Sequence, residues 1–333
     1  MRLGLIGLGR IGRFHAGTLQ RLPAVKSLVV TDLDASLTAQ VADELGAETA
    51  ASPGALLAAG VDGIVIASST ATHAELLIAA VDAGIPAFCE KPLATTASGG
   101  AGLVRQLAGT DVPVQVGFQR RFDPGMAAVH AAVSRGELGW LHTVRSTTLD
   151  PAPPPRAYIA ASGGMYRDCG VHDFDILRWI TGQEVAEVYA IGRNKGDTFF
   201  SEVGDVDTSA AILTFEDGTL GLVSNTRYNA RGYDVRLEAH GSADSVAAGW
   251  EPRLPLRSVE ANGPVPAEQP HRFFMDRFAD AYRAEFEAFT EVVAGTRPSP
   301  CTVTDALEAD WIAEACVRSA REHRPVALAE VRS

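Results

Sequence analysis

Short apolar runs alternate with stretches of helical spacing along the first third of the chain. The pattern predicts strands at RLGLIGLG, SLVVTD, GIVIAS, PAFCEK and PVQVGF. The helices predicted between them cover residues 12–21, 34–45 and 73–83. Strands that alternate with helices form βαβ units, so we expect an α/β domain with a doubly wound parallel sheet over residues 1–118.

The pattern changes after Arg120 and becomes strand-rich. The segments VYAIGRN, SAAILTFEDGTLGLVSNTR and DVRLEAHG alternate as antiparallel strands do, and Asp217-Gly218 is a strong hairpin signal. We therefore expect an α+β second domain over residues 119–333, built on an antiparallel sheet. The helices predicted in this domain cover residues 171–181, 271–294 and 304–322.

Composition narrows the class of protein. A chain of 333 residues fits two domains. The sequence contains no run of about 18 apolar residues, the length that a helix needs to span a bilayer, so we expect no membrane role. The formal net charge of −12 opposes binding to nucleic acid, which is held by clustered Lys and Arg. The cysteines form no CxxC pair, so we predict no metal site and no disulfide framework. A protein of the reducing cytoplasm fits best.

A GxGxxG motif lies directly after the first predicted strand and opens the first predicted helix. Its glycines permit a tight turn, and a helix N-terminus attracts a pyrophosphate. Asp32 ends the second strand, where a carboxylate accepts from a ribose 2′-hydroxyl and repels a 2′-phosphate. Together, the motif and Asp32 predict NAD rather than NADP. Two alternatives remain: proteins that bind FAD or S-adenosylmethionine also use such turns, and a glycine turn can serve only to pack a helix on a strand. The loop residues assigned to the cofactor are Gly7, Gly9, Arg10, Ile11 and Gly12.

Polar residues follow the GIVIA strand at the carboxyl edge, where ligands collect in doubly wound sheets. Ser68, Ser69 and Thr70 are assigned to the cofactor side of that edge. Thr72 is expected to cap the next helix. His73 is open to two interpretations: a cofactor-side role, or packing at the start of the helix.

The next apolar strand ends in Glu90-Lys91-Pro92, which directs Lys91 toward the same edge of the sheet. Glu90 and Lys91 are therefore assigned to the cofactor site as well. A lone lysine at such a place is often only a solvated charge. Because proline restricts the backbone of the residue before it, a fixed orientation of Lys91 is favoured.

Three polar residues of the second domain, Asp168, His172 and Asp175, fall at spacings of four and three. On a helix they share one face, which is either a solvated face or a catalytic one. The apolar residues around them indicate a buried segment. Oxidation of an alcohol by hydride transfer needs a base, and His172 fits that role near neutral pH. Asp168 would orient His172 or share the proton with it, and Lys91 would stabilise the developing alkoxide.

The motifs GLGRIG, STATH, EKP and DxxxHDFD, in this order, resemble the Gfo/Idh/MocA family of oxidoreductases over nearly the whole chain. Within it, QVGFQRRFDPGM and GYDVRLEAHGS resemble inositol 2-dehydrogenases. The resemblance implies a Rossmann fold for the first domain, NAD as cofactor, and oxidation of a ring hydroxyl of myo-inositol or a related cyclitol to an inosose. It also implies an open sheet that joins subunits into a homotetramer or homodimer. The catalytic residues implied are Lys91, Asp168 and His172, and the substrate-binding residues are these three with Arg121, Asp175 and Tyr233.

Several alternatives stay open. Arg121 could form an ion pair with Asp123 instead of binding substrate. The pair Cys169-Gly170 is smaller than the pair expected in inositol enzymes, which leaves the identity of the polyol open. The same three catalytic residues would serve a dehydrogenase of a sugar, an aminocyclitol or a glycoside, and a non-catalytic NAD sensor is the remaining class.

Overall fold

The computed structural model describes residues 1–263, 265 and 267–332 and divides into two compact units. The first comprises Met1–Phe122 and Asp280–Leu307, and the second comprises Asp123–Ala279 and the chain from Glu308 onward. The sequence pattern predicted a first domain that ends at residue 118 and a second domain that contains all later residues. The first unit gains its late segment because the buried aromatic side chains of that segment belong to its core. Ser333, the last residue of the predicted second domain, lies outside the described residues.

The sheet of the first unit has six parallel strands in the order β3-β2-β1-β4-β5-β6, and this confirms the doubly wound prediction. Five of these strands are covered on both faces, which is why they read as apolar runs, whereas both residues of the edge strand β3 are exposed. The strands are β1 (Arg2–Ile6), β2 (Ser27–Thr31), β3 (Glu48–Thr49), β4 (Gly63–Ile66), β5 (Ala87–Glu90) and β6 (Val114–Gly117). The helices between them are α1 (Arg10–Gln20), α2 (Ala35–Leu45), α3 (Pro53–Leu57), α4 (Thr70–Asp82) and α5 (Ala97–Gln106).

The second unit contains a seven-stranded sheet in the order β12-β11-β7-β10-β9-β8-β13. Its neighbours are antiparallel except β7 and β10, which run parallel, so the sheet is mainly antiparallel as predicted. The strands are β7 (Leu141–Leu149), β8 (Val185–Arg193), β9 (Thr208–Phe215), β10 (Leu220–Thr226), β11 (Asp234–Gly241), β12 (Ser245–Ala248) and β13 (Val326–Ala327). The remaining helices are α6 (Pro124–Ser134), α7 (Arg156–Ala161), α8 (Val171–Thr181), α9 (Phe199–Glu202), α10 (Phe274–Arg277), α11 (Ala279–Val293) and α12 (Val303–Glu322).

The hairpin predicted at Asp217-Gly218 joins β9 to β10. Gly218 has φ +90°, and the Asp217 carboxylate accepts a 2.9 Å bond from the N–H of Thr219, which closes the turn. The helix predicted over 171–181 has the bounds of α8. Among the described residues, no helix combines the length and the apolar character needed to cross a bilayer.

Two helix predictions differ from the structure by more than the one or two residues by which helix ends are usually uncertain. The helix expected to begin at His73 begins at Thr70, with Ser69 as its N-cap, and Thr72 lies inside the first turn, donating to the Ser69 carbonyl at 2.9 Å. The single helix expected over 271–294 is two helices, α10 and α11, separated at the fully buried Phe278. The break between the two helices coincides with the burial of the Phe278 ring, which the spacing of apolar residues alone does not predict.

Strand β7 was not predicted although it lies in the middle of the second sheet. Its inward positions include Ser146 and Thr148, which are polar yet buried. Both hydroxyls donate to the carboxylate of Asp173 on α8, at 2.5 and 2.7 Å. An inward face built to satisfy a carboxylate shows no apolar alternation, so the usual strand signal is missing.

Candidate active site

Each glycine of the GxGxxG loop has a distinct structural reason. Gly7 has φ +91°, and a Cβ there would lie 2.6 Å from the backbone N of Ser68. A Cβ on Gly12 would collide with the Gly7 carbonyl oxygen, so this glycine lets α1 pack on the loop. Gly9, the N-cap of α1, faces open space, and a Cβ at that position would have no neighbour within 4 Å. The loop therefore leaves room at the helix N-terminus, where a pyrophosphate binds.

Asp32 lies beside this loop at the end of β2. Its carboxylate accepts a 2.6 Å bond from the N–H of Leu8 and a 3.0 Å bond from the N–H of Asp34. A carboxylate has about four acceptor positions, so these two bonds leave capacity for ribose hydroxyls. The loop and Asp32 together fit the pyrophosphate and the adenosine ribose of NAD, and the negative charge disfavours a 2′-phosphate.

His73 connects two parts of the same sheet edge. Its ring is buried, with Nδ1 2.7 Å from the Pro92 carbonyl oxygen and Nε2 3.2 Å from the Ser68 carbonyl oxygen. Burial lowers the pKa of His73, although both carbonyl contacts oppose this shift. The geometry favours the packing interpretation, in which His73 holds the Ser68 and Pro92 segments together.

Lys91 is linked through Glu90 to a buried histidine that sequence reasoning missed. The Lys91 N–H donates to one oxygen of the Glu90 carboxylate at 3.2 Å, and the other oxygen lies 2.6 Å from Nε2 of His15 on α1. The peptide bond from Lys91 to Pro92 is cis. The aromatic rings around His15, at centroid distances of 4.8 to 6.1 Å, belong to Phe14, Phe88, Tyr282 and Phe286.

In the second unit, Asp168 lies one turn ahead of His172 but not on the same kind of helix. Residues Tyr166–Gly170 form a π-helical turn that leads directly into α8. Such turns occur frequently at functional sites, because they change the direction of one side chain against the regular helix. His172 and Asp175 follow on α8, where Asp175 is fully buried and His172 is half-buried.

The carboxylate of Asp168 is held at both oxygens. Tyr158 donates its hydroxyl to Oδ1 at 2.8 Å, and Arg227 donates to Oδ2 at 2.7 Å. The same guanidinium donates to Asp150 at 2.7 Å. Burial disfavours the charged guanidinium and by itself would lower the pKa of Arg227. Electrostatic interactions with the Cys169 thiol and with the carboxylates of Asp168 and Asp150 outweigh burial, so the pKa is raised.

Asp173, between His172 and Asp175, anchors α8 to the sheet. It is fully buried and, besides the two β7 hydroxyls, accepts a 2.7 Å bond from the side-chain amide of Asn225 on β10. Buried carboxylates are stable only when hydrogen-bonded in this way. The anchor fixes the first turn of α8, and with it the position of His172.

The other predicted pocket residues fall in different units. Arg121 belongs to the first unit, where its guanidinium donates to the Pro300 carbonyl at 3.0 Å and lies 3.4 Å from Asp305. Tyr233 is a buried residue of the second unit, directly before β11. Asp123, the partner considered for Arg121, forms a 2.7 Å ion pair with Arg277.

The small pair Cys169-Gly170 has a packing explanation. Both residues are buried, and a Cβ on Gly170 would lie 3.1 Å from the ring of Phe174 and 3.5 Å from the side-chain oxygen of Asn225. The glycine therefore makes space for α8 and its sheet anchor.

Sequence reasoning also missed Arg227 and Asn225, two polar residues that support Asp168 and Asp173. Asn225 is an inward-facing residue of β10, and the buried Arg227 follows two positions later, directly after the strand. Inward polar residues at the end of an apolar alternation indicate partners inside the protein. That signal was present in the segment VSNTR, but it does not identify the partners.

Comparison with known proteins follows the same division of the chain. A family model for oxidoreductases with an NAD-binding Rossmann fold matches residues 1–118, and a GFO/IDH/MocA C-terminal domain model matches residues 126–247. Myo-inositol 2-dehydrogenase of Thermotoga maritima is 36% identical over 333 residues, with 99% of each chain covered.

Solved structures agree with these matches. A myo-inositol dehydrogenase of Corynebacterium glutamicum superposes with a TM-score of 0.90 at 36% identity, covering 98% of each chain. The scyllo-inositol dehydrogenase of Lactobacillus casei, solved with NAD(H) and scyllo-inositol, has a TM-score of 0.86 at 27% identity, covering 99% of each chain. The chain belongs to the GFO/IDH/MocA family of oxidoreductases with an NAD-binding Rossmann domain.

Proposed function

We propose that this protein oxidises a ring hydroxyl of myo-inositol, or of a stereoisomer, to the corresponding inosose with NAD. The observation that carries the proposal is the similarity over the full chain length to enzymes named as inositol dehydrogenases. The local geometry agrees with it, since Asp168 and His172 lie on adjoining turns ahead of a buried anchor.

The cofactor is held by residues of the first unit. The residues that would hold the pyrophosphate at the N-terminus of α1 are Gly7, Gly9, Arg10, Ile11 and Gly12, and the Asp32 carboxylate would accept from the adenosine ribose. NAD, when bound, would supply the hydride acceptor for this oxidation. The rest of the cofactor edge is assigned to Ser68, Ser69, Thr70, Glu90 and Lys91, and His73 holds the Ser68 and Pro92 segments of this edge together.

The proton of the substrate hydroxyl goes to His172, whose ring is the natural acceptor near neutral pH. Asp168 orients His172 and stabilises the positive charge that the ring acquires. Lys91 donates a hydrogen bond to the oxygen while negative charge develops on it. Arg121, Asp175 and Tyr233 are assigned to the remaining ring hydroxyls, which makes the site selective for a polyol.

The test is a panel of inositol stereoisomers, sugars and aminocyclitols, with NAD reduction followed at the nicotinamide absorbance. The proposal predicts turnover with at least one inositol, and loss of turnover with retained NAD binding in His172→Ala. The matched control is His142→Ala, an exposed histidine of the second unit that should leave turnover unchanged. Turnover confined to sugars or aminocyclitols would favour the alternative dehydrogenase, and equal losses of turnover and NAD affinity in His172→Ala would contradict the role of the base.

Assembly through the second sheet and residence in the cytoplasm belong to the same proposal. The outward face of β8, β9 and β10 carries the exposed apolar side chains of Tyr189, Ile191, Ile212 and Leu220. Tyr189 and Ile212 are register partners, so this face forms a continuous apolar patch. A homotetramer or homodimer would cover it. Light scattering should show a larger assembly that Ile212→Glu dissociates, and a monomeric wild type would contradict this part.

A further inference from the structure

Arg227 connects three segments of the second unit that are distant in sequence. It follows β10 directly and is only 4% exposed. Its guanidinium donates one bond to Asp150, just after β7, and one to Asp168 in the π-helical turn, both at 2.7 Å. Arginine suits this bridge because its planar fork offers several donors in fixed directions.

The bridge acts on the carboxylate next to the proposed base. A positive charge in direct contact favours the ionised form of a carboxylate, and the hydroxyl of Tyr158 at the second oxygen fixes its rotation. An Asp168 that is ionised and fixed can stabilise a charged His172 ring. The same carboxylate, if it took up a proton, would lose that ability.

We propose that Arg227 is a positioning residue that keeps Asp168 ionised and oriented toward its role beside His172. This inference rests on the proposed function, because it assigns Asp168 a part in the acid-base step. Without Arg227, Asp150 and Asp168 would face each other as like charges, and one of them would take up a proton at higher pH. The charged or titratable side chains that act on Arg227 or respond to its charge are Asp150, Asp168, Cys169 and Asp205.

The kinetic experiment compares Arg227→Gln and Arg227→Lys with the wild type across pH. Arg227→Gln should lower kcat by about 100-fold with little change in the KM for NAD, because the reacting groups lose their geometry. The acidic limb of its kcat profile should move up by about one pH unit. Arg227→Lys keeps the positive charge but loses the planar guanidinium that binds two carboxylates at once, so kcat should fall by about 10-fold. The acidic limb of its kcat profile should stay at the wild-type pH.

A matched control separates positioning from general stability. Arg178 is another buried arginine, on α8, and its guanidinium pairs with Glu184. Arg178→Gln should lower the unfolding temperature but keep the pH profile of the wild type. A wild-type kcat and profile in Arg227→Gln would overturn the inference. Should that variant fail to fold, Arg227→Lys decides, and a kcat within about twofold of the wild type would overturn it.

A second readout does not depend on activity. Unfolding temperatures of Arg227→Gln, Asp168→Asn and the double variant form a cycle. The inference predicts that Asp168→Asn restores part of the stability lost in Arg227→Gln, because the buried carboxylate that lost its cation is removed. Losses that simply add would overturn it. If the wild type oxidises no cyclitol, the proposed function fails, while this cycle still tests the inference about Arg227.

Discussion

Asn225 at the end of β10 donates a 2.7 Å hydrogen bond to the buried carboxylate of Asp173 in the first turn of α8. The bond joins the central part of the second sheet to the helix that carries His172. Since Asp173 is the immediate neighbour of His172, the orientation of the proposed base depends on a contact between residues 52 positions apart.

Exchanging these two side chains tests the contact. Asp173→Asn places an amide against the Asn225 amide, and Asn225→Asp places two carboxylates together, so each change should cost about 2 kcal/mol of unfolding free energy and lower kcat. The double exchange restores one donor and one acceptor and should recover most of both losses. Denaturant unfolding and kcat measure this, and a double variant no better than the worse single one would contradict it.

Asp32 should control the choice of cofactor. Asp32→Ala removes the carboxylate that we assign to the cofactor ribose and that accepts from the Leu8 N–H, so affinity for NAD should fall and discrimination against NADP should be relaxed. The control is Asp34→Ala, which removes a nearby carboxylate that caps α2. It should lower the unfolding temperature and keep the NAD to NADP preference. Unaltered preference in Asp32→Ala would refute the assignment.

The His15–Glu90 contact should matter for both stability and turnover. His15→Phe fits the surrounding aromatic rings but leaves the buried Glu90 carboxylate without this partner, at a cost of about 2 kcal/mol. Because Glu90 also accepts from the Lys91 N–H, kcat should fall as well. Adding Glu90→Gln should restore part of the stability. Simple addition of the two losses in thermal unfolding would contradict the coupling.

His73 should make stability dependent on pH. Burial lowers its pKa in the folded protein, so the folded state binds fewer protons than the unfolded state. The contribution is present above the unfolded pKa of about 6.5 and is lost as pH falls through the folded value. His73→Asn should therefore weaken the pH dependence of the unfolding temperature below about pH 7, and should leave it unchanged above that pH. His142→Asn, at an exposed histidine, serves as the control. If the unfolding temperature of His73→Asn varied with pH as it does in the wild type, His73 would not be the source of this pH dependence.

Much of the fold could be predicted because burial and sequence pattern agree there. Strands β1, β2, β4, β5 and β6 are covered on both faces and read as apolar runs. Strand β7 could not be predicted, since Ser146 and Thr148 point inward to satisfy Asp173. The break between α10 and α11 at Phe278 could not be predicted either, because it coincides with the burial of that ring and the helical spacing of apolar residues continues through it.

The candidate site divides in the same way. Residues that lie in local motifs, such as Gly7, Asp32, Lys91 and His172, could be assigned from spacing and resemblance. Their supporting partners could not. Arg227 reaches Asp150 because β10 pairs in parallel with β7, so the residues that follow the two strands lie together, and no local pattern predicts that pairing.

The central claim is direct hydride transfer from a cyclitol to NAD at a site served by His172. The decisive measurement is the mass of the reduced cofactor formed from myo-inositol deuterated on its ring carbons. The account predicts NADH that carries one deuterium from the substrate, formed by the wild type and almost absent with His172→Ala. Reduced cofactor without deuterium, or none with any inositol stereoisomer, would contradict it.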